Sequence, residues 1–243
     1  AIGGIKISFE TISFEDVRNI PADAPLRCVD RDIEQVMVKC IDSARAAGDT
    51  VGGAFEVILR GLPIGLGNYA QWDRKLDGRL AQAVMSIPAI KAVGIGIGSA
   101  ASGLPGSQVH DEIVLRPTRD ETDDSPIPVA RPTNNAGGLE GGITNGEDLR
   151  VSGYMKPIST LMKPLRSVDL QTMTEAPATV ERSDVCAVPA AAVVAEAMVS
   201  LIVADAFLEK FGGDSVGEIS RHVIASKELR QSRFPGTAKT EAT

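Results

Sequence analysis

The stretch from Ala187 to Leu208 constrains this chain more than any other, because only Glu196 and Asp205 interrupt it with charge. So apolar a segment has to be covered, either by lipid or by protein. Two carboxylates are costly in hydrocarbon, which favours protein. Pro189 in the opening turn and Gly212-Gly213 at the far end delimit a helix over 189–211. Its nearly all-round apolar character predicts a central core helix buried between layers. No basic-then-apolar segment opens the chain as a signal peptide would.

A chain of 243 residues is long enough to bury a full core, as one large domain or two small ones. Twenty-five basic against 32 acidic side chains leave a formal charge of −7, thinly spread. No basic face is available for a nucleic-acid backbone or an anionic membrane surface. Cys28, Cys40 and Cys186 are odd in number, far apart and without a C-x-x-C pair, and the histidines are His110 and His222. That pattern predicts reduced thiols, no zinc site and a soluble, cytoplasmic protein.

Ile5-Lys6-Ile7-Ser8-Phe9 alternates as a half-buried strand does, so the chain reads as starting inside a fold. Ile33, Val36, Met37, Cys40, Ile41 and Ala44 then fall at helical spacing up to Gly48. Phe55, Val57 and Leu59 mark a strand. Leu76, Leu80, Ala83, Val84 and Ile87 mark a second helix broken by Pro88, and residues 89–97 and 149–155 read as further strands. The sum is a mixed α and β domain with helices covering sheets. Residues 117–128 form an acidic loop read as wet surface, Ser215 and Glu218 have capping-box spacing, and the sequence past Lys227 reads as a mobile tail.

Several stretches could carry chemistry. Gly96-Ile97-Gly98-Ser99-Ala100-Ala101 imitates a dinucleotide fingerprint, but Gly103, Pro105 and Gly106 oppose the helix that a pyrophosphate would need. Residues 134–146 hold five glycines and three asparagines in thirteen positions, which implies tight turns or close approach of backbone to a ligand. Lys156-Pro157-Ile158-Ser159-Thr160 concentrates donors suited to phosphate or carbonyl oxygens, or is an ordinary exit from a strand. Arg182-Ser183-Asp184 precedes the long helix, where Ser or Asp ordinarily caps and an Arg near an Asp can be a simple ion pair. His110, among acidic neighbours, reads as structural or as an acid or base.

Taken in order, residues 48–53, 61–67, 87–91, 135–146, 156–160 and 182–189 resemble the C-terminal portion of chorismate synthase. The asparagine-glycine block and the R-S-D-x-C-x-V-P run carry most of that resemblance. It implies an α+β fold, antiparallel sheets sandwiched with helices and incomplete at the N-terminus, over residues 1–226, with 227–243 a flexible tail. It also implies the 1,4-elimination of phosphate from 5-enolpyruvylshikimate 3-phosphate to give chorismate, with reduced FMN as cofactor, in a homotetramer.

By the same resemblance Pro88, Ala89, Gly142, Lys156, Pro157, Ile158, Ser159, Thr160 and Arg182 hold the flavin. Arg182 also reaches the substrate's negative groups, and Asp184 is the aspartate that helps set the flavin's protonation state. The family's G-E-S-H-G segment and its second catalytic histidine have no counterpart here, and neither His110 nor His222 lies in a matching context. The expectation is that this chain alone is inactive. The alternative is a non-catalytic fragment that binds flavin or associates with itself. Either way, the glycine-rich block, the lysine-proline turn and the Arg182/Asp184 pair are expected to meet at one flavin-sized hollow.

Overall fold

The computed structural model describes residues 1–7, 12–115 and 129–233. The acidic run over 117–128, the end of the first alternating stretch and the last ten residues lie outside that set.

A short helix α1 (Phe14–Arg18) and helix α2 (Arg31–Ala46) lead into strand β1 (Gly53–Leu59), helix α3 (Leu76–Met85) and strand β2 (Ile90–Ile95). One turn of helix α4 (Gly106–Val109) and the short strands β3 (Val114–Leu115), β4 (Val129–Ala130), β5 (Leu139–Glu140) and β6 (Ile143–Thr144) precede β7 (Leu149–Met155). The chain ends in hairpin β8 (Arg166–Asp169) and β9 (Thr174–Pro177), then helices α5 (Val188–Phe211) and α6 (Val216–Ser232).

Local chemistry sets these limits. The Asp30 carboxylate accepts from the N–H groups of Asp32 and Ile33 and so caps α2. Ser215 caps α6 by accepting from Glu218 N. Helix α6 continues to Ser232, several residues into the stretch read as a tail. Where a dinucleotide fold would start a helix, residues Gly98–Gly103 form only a 3₁₀ turn.

The main sheet is antiparallel in the order β1-β7-β2, with Val57 and Ile95 both opposite Val151. Every other described sheet is a two-stranded antiparallel ribbon, in keeping with an α+β fold. Phe55 lies on Gly153, where a Cβ would come within 2.4 Å of its ring, so the central strand can be no bulkier there. Helices α3 and α5 pack side by side on one face of this sheet. Leu66, Leu76, Leu80, Val84, Leu149 and Val151 are fully enclosed between the layers. Arg79 ties α3 to α5 through Asp205 and Glu209.

Helix α5 departs from expectation. It buries one stripe, Val188, Ala191, Ala195, Val199, Val203, Ala206 and Phe211. The opposite side, with Leu201 at 65% exposure and Leu208 at 51%, is open. The sheet, α3 and a lighter contact from α6 cover a single stripe and no more. By length and composition α5 could cross a bilayer, yet in this fold its small residues lie against α3 and β1.

Candidate functional site

The end of β7 is where the sequence-derived candidates gather. Lys156 follows its last residue and donates its N–H to the Ala89 carbonyl at 2.9 Å. Ala89 makes that bond from the left-handed region, φ +68°, which costs a residue with a Cβ about 1–2 kcal/mol. Beside it, β2 takes a bulge between Ile90 and Ala92, an irregularity that re-aims side chains at the margin of a sheet. The turn over 156–160 therefore lies against Pro88 and Ala89.

Residues 182–185 close the same region. Ser183 Oγ donates to the Thr160 carbonyl at 3.0 Å, and Val51 N donates to Val185 O at 2.9 Å. The helix-cap reading of this run does not hold: α5 begins after Ala187 with no side-chain cap. Arg182 and Asp184 do not pair. Among the described residues, the side chains of Lys156, Ser159, Thr160, Arg182 and Asp184 make no hydrogen bond or ion pair, and neither do the N–H groups of Ile158, Ser159 and Thr160. Two cations, a carboxylate, two hydroxyls and three amides at one sheet end, open to solvent and without a protein partner, can receive a ligand bearing anionic and carbonyl oxygens.

The asparagine-glycine block is elsewhere. Asn134 accepts from Gly138 N and donates to Asp148 O, both at 2.8 Å, beside the first residue of β7. The seven residues of β7 lie between Asp148 and Lys156, so the two are about 26 Å apart along the strand at 3.3 Å per residue. Gly142, buried with φ +95°, accepts from Leu76 N, and a Cβ on it would lie 2.6 Å from Lys75 Cγ. It sits at the start of α3 and Ala89 just past its end, about 15 Å away along a ten-residue helix. Of the three groups expected to meet, two do and the block does not.

Asp111 holds the block in place. It accepts from Thr133 Oγ1 at 2.6 Å, Asn135 N at 2.7 Å and Ala136 N at 2.9 Å. Burial works to raise its carboxyl, but the hydrogen bonds from Thr133, Ala136 and Asn135 and the charge of Arg131 outweigh that and keep it below the usual carboxylate range. His110 beside it is exposed and ends α4 without joining either cluster. A cavity of about 890 Å³ between residues 12–29, β1 and α5 is mainly apolar and touches none of the candidate site residues.

Sequence reasoning missed the supports of the 156–160 turn. Thr50 Oγ1 donates to Ile158 O at 2.6 Å, and a Cβ on Gly52 would fall 2.3 Å from Met155 O. The signal was there in the run over 48–53, whose glycines require close backbone approach to something.

Fold and site together define an α+β protein with unpartnered cationic, hydroxyl and amide groups gathered at one end of an antiparallel sheet. The family model described as chorismate synthase matches residues 1–208, and the chain belongs to the chorismate synthase family. A chorismate synthase from Geobacter sulfurreducens is 57% identical over 221 residues, 91% of this chain and 56% of that protein. One from Brevibacillus brevis is 52% identical over 222 residues, 91% and 55% of the two chains. A crystal structure of chorismate synthase superposes with a TM-score of 0.70 at 40% identity, over 86% of this chain and 53% of the other. The chain thus spans about half the length of the relatives it matches.

Proposed function

We propose that this chain carries a flavin-holding part of a cytoplasmic, homotetrameric chorismate synthase. The reaction removes phosphate and a ring hydrogen from 5-enolpyruvylshikimate 3-phosphate by 1,4-elimination, with no net oxidation. The observation that carries this reading is the set of donors without a protein partner around Lys156 and Arg182 in a chain of this family.

The donor set fits an anionic, oxygen-rich ring system. Reduced FMN, when bound, supplies the electron density that loosens the bond between carbon and the departing phosphate. Lys156 and Arg182 place positive charge beside it, and Ser159, Thr160 and the free amides of 158–160 offer hydrogen bonds to its oxygens. Pro157 and Ile158, with Pro88 and Ala89 across from them, offer apolar surface to the ring. Asp184 keeps a carboxylate within the same group, where it can hold a proton on the ring. Arg182 is also the residue for the substrate's negative groups. A ligand touching both Gly142 and Ala89 must span the length of α3.

Neither His110 nor His222 is read as a counterpart of the family's catalytic histidines, and the expected activity of the chain with substrate and chemically reduced FMN is nil. The test is a titration of FMN into the purified 243-residue chain, followed by flavin fluorescence. Weak, saturable binding that is lost in Lys156→Ala and Arg182→Ala supports the reading. Turnover by the chain alone refutes its inactivity, and a folded chain that leaves flavin fluorescence unchanged refutes the flavin site. The uncovered side of α5, with Leu201 and Leu208, favours a second reading, a chain that associates with itself, which light scattering separates from the first.

A further inference from the structure

The run over 48–53 has no part in the function proposed so far, yet it forms the floor of the candidate site. Thr50, almost fully buried, directs its only hydroxyl proton to the carbonyl of Ile158, 108 residues away. Gly52 faces the backbone of Met155, Lys156 and Pro157 so closely that any Cβ would overlap it, at 2.3, 2.9 and 2.8 Å. From the other side Ser183 donates to the Thr160 carbonyl. Lys156 N and Lys163 N, bonded to Ala89 O and Gly48 O, fasten the two ends. All these supports engage the turn through backbone atoms, and two hydroxyls take its carbonyls. Its own side chains and the amides of 158–160 remain free.

We infer that Thr50 and Ser183 are positioning residues, which fix the 156–160 turn by its carbonyls so that its donors are preset for a ligand. The inference rests on the flavin reading for the identity of the ligand but not for the geometry. An isosteric valine at 50 leaves Ile158 O without its donor, and the turn then samples arrangements other than the one its backbone supports fix. Apparent affinity falls with the fraction of chains that keep the competent arrangement. One hydrogen bond's worth of lost preference corresponds to about tenfold.

The experiment compares the full chain with Thr50→Val, Thr50→Ser and Ser183→Ala, reading amide exchange by NMR and FMN affinity by fluorescence. Thr50→Val is expected to speed exchange at the Lys156 and Lys163 amides by about tenfold and to weaken FMN by a similar factor. The amides of Val57 and Val151 in the sheet should keep their rates, and Thr50→Ser should restore both readouts. A merely structural threonine would lower the protection of the sheet along with that of the turn. Unchanged exchange at Lys156 and Lys163 in Thr50→Val overturns the inference. If that variant unfolds, Ser183→Ala, altered at an exposed position, decides the matter by the same amides. Should the parent chain bind no FMN, the flavin reading falls, while the exchange rates still confirm or refute the positioning.

Discussion

Thr144 offers the sharpest test of how the glycine-rich block is built. Its side chain is 1% exposed and bonded twice, donating to Pro63 O at 2.6 Å and accepting from Leu66 N at 2.8 Å. Replacing it with valine keeps the volume and deletes both bonds. The Leu66 amide is then buried without a partner, at a cost of about 2 kcal/mol, and the partly accessible Pro63 carbonyl adds about 1 kcal/mol. For a chain of this size a total near 3 kcal/mol lowers Tm by about 6–12 °C. Thr144→Ser keeps the hydroxyl and removes one enclosed methyl, worth about 1 kcal/mol. Urea unfolding and thermal melts followed by circular dichroism measure both variants. If Thr144→Val is no less stable than Thr144→Ser, the hydrogen bonds are not what joins residues 61–67 to β6, and the reasoning fails.

Two further predictions concern the regions flanking the site. Asp111 has a folded pKa held below its unfolded value near ~3.9, so its stabilisation is complete above that value and disappears as pH falls through the folded one. Asp111→Asn should therefore cost about 1 kcal/mol at pH 7, the figure discounted for partial exposure, and the gap to the parent should close in urea melts carried into the acid range below the carboxylate region. A gap that widens on acidification contradicts the assignment. On the open side of α5, Leu201→Lys should change stability by less than about 0.5 kcal/mol while reducing concentration-dependent light scattering. A large loss of stability would show that this side is already covered.

How much could be read from the sequence depended on whether periodicity carried direction. The strand read over 149–155 coincides with β7, and the spacing from Leu76 placed α3 to within two residues. In α5 the same signal was saturated: residues apolar on every side define a helix but not which stripe is inside. Only the fold reveals that Ala191, Ala195, Val199, Val203 and Ala206 lie on the buried stripe while Leu201 and Leu208 do not. Ser183 misled for a related reason. A serine shortly before a helix suits a cap, and nothing local tells it apart from one that reaches the Thr160 carbonyl 23 residues back.

The two polar stretches that looked alike in composition are opposites in their accounts of hydrogen bonds. In the asparagine-glycine block the side chains of Asn134, Asn135 and Asn145 are spent on Asp148, Gly138, Val109, Glu140 and Glu147. Gly137, Gly138 and Gly142 are explained by close approach to the Gly96 backbone, the Asp148 backbone and the Lys75 side chain. Such a loop is already satisfied and gains little from a ligand. The 156–160 turn has two of its carbonyls, those of Ile158 and Thr160, held by hydroxyls and its donors turned to solvent, so a ligand exchanges water for its own oxygens without first breaking a bond within the protein. The central strand β7 joins the two, so its first residues inherit the rigidity of the block and its last residues present the free donors. Rigidity at one end of a seven-residue strand and donors without a protein partner at the other is the division of labour that a preorganised site requires.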